Sequence, residues 1–284
     1  MSEERRACSV CPHRCTLSEG QTGLCRARGM RSGEIVPLNY GVVSSIALDP
    51  IEKKPLACYH PGSVILSVGS FGCNLRCPFC QNWEISASDG REFVRDADCH
   101  LPPEKLAELA DRLRGRGNLG VAFTYNEPLI GWEYVRDTAL LLRERELRTV
   151  LVTNGCVNEE IAEQILPLTD ALNIDLKCFR AETYEKLLGG ELETVKRFID
   201  MAAERCHVEL TTLIVPGMND SEEEIRALTE WIASLPNGED IPLHLTRFFP
   251  RYKMTDRRAT ERQSILRLVS LARERLRRVY PGNM

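Results

Sequence analysis

Three cysteines, Cys73, Cys77 and Cys80, fall within eight residues in the spacing C-x3-C-x2-C, with Phe79 directly before the last. Thiolates this close on one loop can converge on a single small metal centre. An iron–sulfur cube has four irons, and full protein ligation takes four thiolates. Three local ligands therefore leave one iron open, and an open position is what separates a catalytic metal site from a structural one. Such a position would accept a substrate or cofactor through nitrogen and oxygen. The competing readings are a structural zinc site that borrows a fourth ligand, and three inert thiols. A second group, Cys8, Cys11, Cys15 and Cys25, offers four thiolates within eighteen residues. Four close a tetrahedral zinc site or ligate a second iron–sulfur cluster fully, and thiolate spacing alone does not select the metal. An unoccupied group is the third reading. Closure by four ligands argues for a structural or electron-relay role. His13, inside this motif, is left over once the thiols satisfy the count.

The rest of the chain has ordinary globular composition: 284 residues, 43% hydrophobic and 27% charged. Thirty-seven Lys and Arg against forty-one Asp and Glu leave a formal charge of −4, which excludes a polycation built to coat nucleic acid. The first ten residues lack the apolar run of a signal peptide. The longest uncharged stretch, Pro55 to Leu75, is broken by two prolines and three glycines, so no membrane span is expected. A cytoplasmic protein follows as the expectation. Twelve cysteines in a reducing compartment then read as metal ligands rather than a disulfide framework. Cys58, Cys99, Cys156, Cys178 and Cys206 are scattered; Cys58 and Cys99 receive no ligand role, and Cys156, after a strand-end glycine, reads as a small buried hydrophobe with a pocket-facing position as the alternative. Five histidines with no H-E-x-x-H pair make a zinc hydrolase a poor fit.

The elements that must position these groups show as short apolar runs alternating with helical stripes. The runs are Val64–Val68, Val121–Tyr125, Thr149–Thr153, Ala171–Leu176, Val208–Val215 and Ile241–Leu245. Between them lie stripes such as Leu106, Leu109, Ala110 and Leu113, or Val195, Phe198, Ile199 and Ala202. Such alternation implies an α/β fold with one parallel sheet and crossover helices. Periodicity leaves two solutions, an open doubly wound sheet and a partial barrel. In both, reactive residues belong at the carboxyl ends of the strands. Several strands do end in polar turns there: Gly69–Gly72, Asn126-Glu127-Pro128, Thr153-Asn154-Gly155, Asp175-Leu176-Lys177 and Pro216–Asp220. The expected organisation is a Cys-rich module and linker over 1–60, a core over 61–250 and a basic amphipathic helix over 251–284. That helix is expected to run from Asp256 to Tyr280, and its eight arginines read as a solvated face rather than a nucleic-acid contact. Asp49–Pro55 reads as a solvated linker, with charges that order the mouth of the site as the alternative.

The C-x3-C-x2-C loop with Phe79 resembles the signature of the radical S-adenosylmethionine superfamily. The resemblance implies a partial (β/α)6 TIM-like barrel, which chooses between the two folds. It also implies a [4Fe-4S] cluster on Cys73, Cys77 and Cys80, with S-adenosylmethionine chelated at the open iron and cleaved by one electron to a 5′-deoxyadenosyl radical. Cofactor contacts follow residue by residue. Phe79 belongs to the signature itself. Tyr125-Asn126-Glu127-Pro128 stands where the family has a Gly-Gly-Glu-Pro-like motif for the methionine amino group, so Asn126 and Glu127 are named. Thr153, Asn154, Asp175 and Lys177 resemble the third and fourth strand ends of pyruvate formate-lyase-activating enzymes. Leu213–Gly217 resembles the segment beside adenine, and His244 and Arg247 are expected to face the same mouth. The competing readings are a helix cap for Glu127, a surface lysine for Lys177 and a satisfied core histidine for His244.

Longer stretches, Cys11–Cys15, Glu19–Arg26, Asp49–Leu56 and Cys80–Ser86, resemble the AmmeMemoRadiSam-system radical enzymes, which implies Memo-like and AMMECR-like partner proteins beside an electron donor. The expected function is reductive cleavage of S-adenosylmethionine and hydrogen abstraction from a small molecule, peptide or nucleic acid. The alternatives are activation of a glycyl-radical partner protein and a non-catalytic iron–sulfur or zinc scaffold.

Overall fold

Runs rich in Val, Ile and Leu that are buried on both faces make parallel strands, and here they do. The computed structural model describes residues 5–284. Its main sheet comprises β1 (Ser45–Pro50), β2 (Val64–Gly69), β3 (Asn118–Phe123), β4 (Arg148–Thr153), β5 (Ala171–Asp175), β6 (His207–Ile214), β7 (Leu243–Arg247) and β8 (Val279–Gly282). The strands lie side by side in chain order, all pairs parallel except the antiparallel β1–β2. Helices α1 (Pro103–Arg112), α2 (Trp132–Glu144), α3 (Glu159–Ile165), α4 (Leu192–Ala203), α5 (Glu222–Ala233) and α6 (Arg262–Ala272) cover the sheet. Their stripes, among them Leu106, Leu142, Ile161, Phe198, Leu228 and Leu268, share one core with the sheet residues Val121, Leu151, Leu172 and Leu210.

The sheet is two strands wider than the six apolar runs. The segment expected as one helix from Asp256 to Tyr280 forms α6 only over Arg262–Ala272, and the chain then returns as β8, parallel to β7. Pro281 is tolerated because β8 is an edge strand, where a missing N–H can face outward. At the opposite edge β1 precedes the expected boundary at residue 60 yet belongs to the barrel sheet.

The strap between β1 and β2 closes the barrel floor. Its Ile51 and Leu56 pack under Ile65, Ala122, Val150 and Ala171. The Asn173 amide donates to the Pro55 carbonyl at 2.8 Å, and the Glu209 carboxylate accepts from the backbone N–H groups of Ala57 (2.9 Å) and Cys58 (2.7 Å). This corrects the solvated-linker expectation. Lys54 is only 2% exposed, and its ammonium meets Asp49 at 2.9 Å.

The cysteine-rich start forms two small ribbons, Arg6–Ala7 with Thr16–Leu17 and Arg28–Arg31 with Glu34–Pro37. It docks on the barrel through the Arg28–Glu133 ion pair (2.6 Å) and through Asn158, whose backbone N–H donates to the Val10 carbonyl at 3.0 Å and whose amide donates to the Ser9 carbonyl at 2.6 Å. Among the described residues no helix is long and apolar enough to cross a membrane.

Candidate functional site

The loop carrying Cys73, Cys77 and Cys80 leaves the carboxyl end of β2 through Gly69–Gly72. The three cysteines open on one cavity of about 350 Å³ that lies over the carboxyl ends of the strands. Its wall runs from Lys53, just past edge strand β1, to Asn283, just past edge strand β8. The cavity therefore reaches from the cysteine loop down to the strap at the amino end of β2. Phe79, Asn126, Glu127, Thr153, Asn154, Asp175 and Lys177 line the same cavity.

Glu127 is the pivot. It is 1% exposed, and its carboxylate accepts from the Thr153 hydroxyl (2.7 Å) and from the backbone N–H groups of Asn154 (2.7 Å) and Leu129 (3.0 Å). Burial outweighs these donors and pushes its carboxyl up to about 7. Asn126 holds the cysteine loop: its amide donates to the carbonyls of Phe71 (3.2 Å) and Gly72 (3.1 Å), and its carbonyl oxygen accepts from the Ser70 N–H (3.0 Å). Asn154 donates to Asn74 Oδ1 at 2.9 Å and lies 3.7 Å from Cys73 Sγ. Lys177 meets Asp175 at 2.7 Å; burial would lower its basicity, but Asp175 and the neighbouring Cys77 thiol outweigh that and raise it. Burial pushes the Cys73 thiol well up and the Cys77 thiol to about 12. Thiols so placed become thiolates when a metal takes the proton's place. Three thiols and no fourth cysteine on a roomy cavity, beside a buried carboxylate, fit an open-cornered cluster and a ligand carrying an ammonium group.

The second group is built differently. Cys8, Cys11, Cys15 and Cys25 line a cavity of about 10 Å³ shared with Val10, Ile130 and Arg28. Two tight turns present them, closed by Arg14 N–H to the Cys11 carbonyl (3.1 Å) and Arg26 N–H to the Gly23 carbonyl (2.9 Å), with Arg14 and Arg26 both left-handed. Burial raises the Cys11 thiol to about 12 and the Cys25 thiol as well. Among the described residues no three His, Cys, Asp or Glu side chains close tightly enough to grip an ion as they stand, at this group or at the Cys73 loop.

The two groups touch. The Cys73 N–H donates to the Cys25 carbonyl at 3.2 Å, and a His13 ring nitrogen lies 2.9 Å from the Asn74 carbonyl. Gly72 makes this approach possible: its φ is +85°, and a Cβ there would stand 2.5 Å from the Cys25 carbonyl oxygen.

His244 does not reach the cavity. Its ring nitrogen lies 2.6 Å from the Glu209 carboxylate and its ring stacks on Tyr280, so it belongs to the barrel floor, as the core-histidine reading has it. Burial alone would raise Glu209, but His207, His244 and the two strap N–H groups hold it down at about 2. Arg247 is committed to the Thr260 carbonyl at 2.8 Å. Lys53, Tyr125, Thr211 and Asn283 also line the cavity without having been singled out from the sequence. For Lys53 the signal was present in the dense charges of Asp49–Pro55; for Thr211 and Asn283 there was none.

Comparison with known proteins agrees with this geometry. The Radical SAM superfamily model matches residues 67–231, from β2 through α5. An uncharacterized protein of Methanocaldococcus jannaschii is 35% identical over 286 residues, covering 100% of this chain and 83% of that one. The pyruvate formate-lyase 1-activating enzyme of Escherichia coli K12 is 26% identical over 175 residues, covering 61% and 70%. Streptococcus suis SuiB bound to S-adenosylmethionine superimposes with a TM-score of 0.56 at 13% identity, over 75% of this chain and 48% of that chain, a likeness of fold alone. The match over more than half the chain places the cysteine loop, the strand ends around it and the partial barrel in one family with its [4Fe-4S] cluster and S-adenosylmethionine: the chain belongs to the radical SAM superfamily.

Proposed function

We propose that Cys73, Cys77 and Cys80 hold the [4Fe-4S] cluster and that the cavity beside them binds S-adenosylmethionine for hydrogen abstraction from a substrate entering between the two edge strands. When bound and reduced, the cluster and cofactor supply a 5′-deoxyadenosyl radical. The chain's part is to orient and enclose. Glu127, fixed by Thr153 and Asn154, offers its carboxylate to the methionine ammonium. Asn126 pins the turn before Cys73, and Phe79, Asp175 and Lys177 complete the wall. The carrying observation is the count: three thiols on a cavity with room for more than a metal. Anaerobic reconstitution with strong reductant and S-adenosylmethionine tests it; 5′-deoxyadenosine no higher than in a Cys73→Ala control removes the reading.

The favoured substrate is a small molecule, peptide or nucleic acid, with Memo-like and AMMECR-like proteins as companions by resemblance. Relatedness to pyruvate formate-lyase-activating enzymes supports a second reading, activation of a partner protein at a glycine. Deuterium passing from a protein glycine into 5′-deoxyadenosine selects it. At the amino-terminal group we favour one zinc-type ion over a second cluster, because about 10 Å³ is the room of roughly one small sphere and not of a cube of four irons and four sulfides. This module is best drawn as ending at residue 44, where β1 enters the sheet.

A further inference from the structure

The cavity has one wall that no cofactor role accounts for. That wall is the strap. Asp49 is a single carboxylate facing two ammonium groups, Lys54 at 2.9 Å and Lys53 at 3.3 Å, and it also accepts from the Tyr125 hydroxyl at 2.9 Å. Burial would raise its carboxyl, yet these partners hold it at about 2, so it stays charged and the trio carries one surplus positive charge. Lys54 is buried over the Tyr125 ring. The surplus therefore sits on Lys53, which lines the cavity and whose side chain is 67% exposed. Tyr125 fixes the arrangement: its backbone is left-handed at φ +71°, held by its hydroxyl on Asp49 and by its carbonyl, which accepts from Asn82 at 2.7 Å.

The cavity that Lys53 lines also holds a donor with nothing to do. Thr211 is 7% exposed and lines the same cavity, and its hydroxyl has no partner. Sheet register places it. Thr211 pairs with Asp175, and Glu209 pairs with Asn173 one inward-facing position below. Asn173 and Glu209 are the residues that grip the strap at Pro55, Ala57 and Cys58. Thr211 thus stands one inward-facing position above the strap's grip at Ala57 and Cys58, and it shares the cavity wall with Lys53. A buried hydroxyl left unmade costs about 1–3 kcal/mol, so its persistence in a cavity lined by an ammonium that has only a half share of Asp49 points to a ligand that satisfies both.

We propose that Lys53 and Thr211 form a subsite for an oxyanion, a carboxylate or phosphate group of the hydrogen-donating substrate. This rests on the function proposed above and adds the substrate's class: a molecule anchored by a negative group at the strap, with its reacting carbon toward the cysteine loop.

Saturation-transfer NMR on the full chain tests it, with succinate and methylphosphonate as probes and succinamide as the neutral control, at low salt. Wild type transfers saturation to at least one anion and not to succinamide; which anion responds separates a carboxylate from a phosphate source. Lys53→Met lowers the signal at least fivefold and Lys53→Arg restores it. Thr211→Val, which removes a hydroxyl without a partner and so leaves thermal melting unchanged, lowers it at least twofold. No transfer to either anion, or a signal untouched by Lys53→Met, overturns the subsite. Binding needs no turnover, so the two proposals fail separately. A chain that binds an anion but makes no 5′-deoxyadenosine sinks the function, and one that makes 5′-deoxyadenosine but binds neither anion sinks the subsite.

Discussion

The two cysteine groups differ less in their thiols than in the space those thiols enclose. Cys8, Cys11, Cys15 and Cys25 surround about 10 Å³ walled by Val10 and Ile130, whereas Cys73, Cys77 and Cys80 open on about 350 Å³ walled by Glu127, Asn154 and Lys177. The first has ligands enough to close a centre and no room beside it. The second is one ligand short and has room for a partner of the metal. In the function proposed above, openness rather than cysteine content gives one a structural part and the other a catalytic one. They meet along a seam where the Cys25 carbonyl accepts from the Cys73 N–H and a His13 ring nitrogen lies against the Asn74 carbonyl.

The contrast breaks most visibly at the open group. Replacing Cys73, Cys77 or Cys80 by Ala removes one of three ligands where no spare exists, so 5′-deoxyadenosine formation falls by at least about a thousandfold, with iron and sulfide content falling alongside. A variant that keeps its cluster and its turnover would show that another side chain completes the set, and the distinction between the groups would vanish.

The seam itself is next. Gly72→Ala forces a Cβ to 2.5 Å from the Cys25 carbonyl oxygen at φ +85°. The expected loss is on the order of 2–4 kcal/mol, read as a lower melting temperature of the metal-free chain. An unchanged melt means the groups pack independently.

Much of this layout is legible without coordinates. The C-x3-C-x2-C loop and the six apolar runs are local patterns, and they placed the cavity at the right ends of the right strands. What escaped is set by register and by long-range pairing. Val279 and Tyr280 read as the end of a helix begun at Asp256, and Val279–Gly282 becomes a strand only because β7 offers an edge. Asp49–Pro55 reads as solvated because it is charged, yet Asp49 and Lys54 are buried because they and Tyr125 satisfy one another. His244 lies on a strand whose Thr246 does reach the cavity; two residues of register decide that His244 meets Glu209 instead.

Within the open group, Glu127 carries the smaller but more specific effect. Glu127→Gln keeps the shape and removes the charge, so S-adenosylmethionine binding weakens about 10- to 100-fold, the worth of a charge-assisted hydrogen bond. The pH dependence has a definite sign. With the carboxyl raised to about 7, it is neutral below that pH and must release a proton to receive an ammonium. Cofactor affinity therefore rises as pH increases through about 7 in wild type and stays flat in Glu127→Gln. Calorimetry at several pH values measures both, and a wild-type profile without that rise removes Glu127 from the ammonium.

The closed group gives the smallest expected change in turnover and the sharpest reading of the comparison. If the proposed single ion is held there, Cys11→Ser removes one of its four ligands, so zinc content falls while iron and sulfide stay at the wild-type level. Turnover then drops by less than about tenfold, because the Cys73 loop keeps its ties to Asn126 and Asn154 when the seam loosens. The loosening registers in the electron paramagnetic resonance spectrum of the reduced, cofactor-bound cluster, since Cys73 shares the seam with Cys25. If iron and sulfide instead fall by half, the group held a second cluster, the small cavity expands on assembly, and space no longer separates the two groups. If neither metal changes and the spectrum is identical, the four thiols bind nothing, and the seam is packing alone.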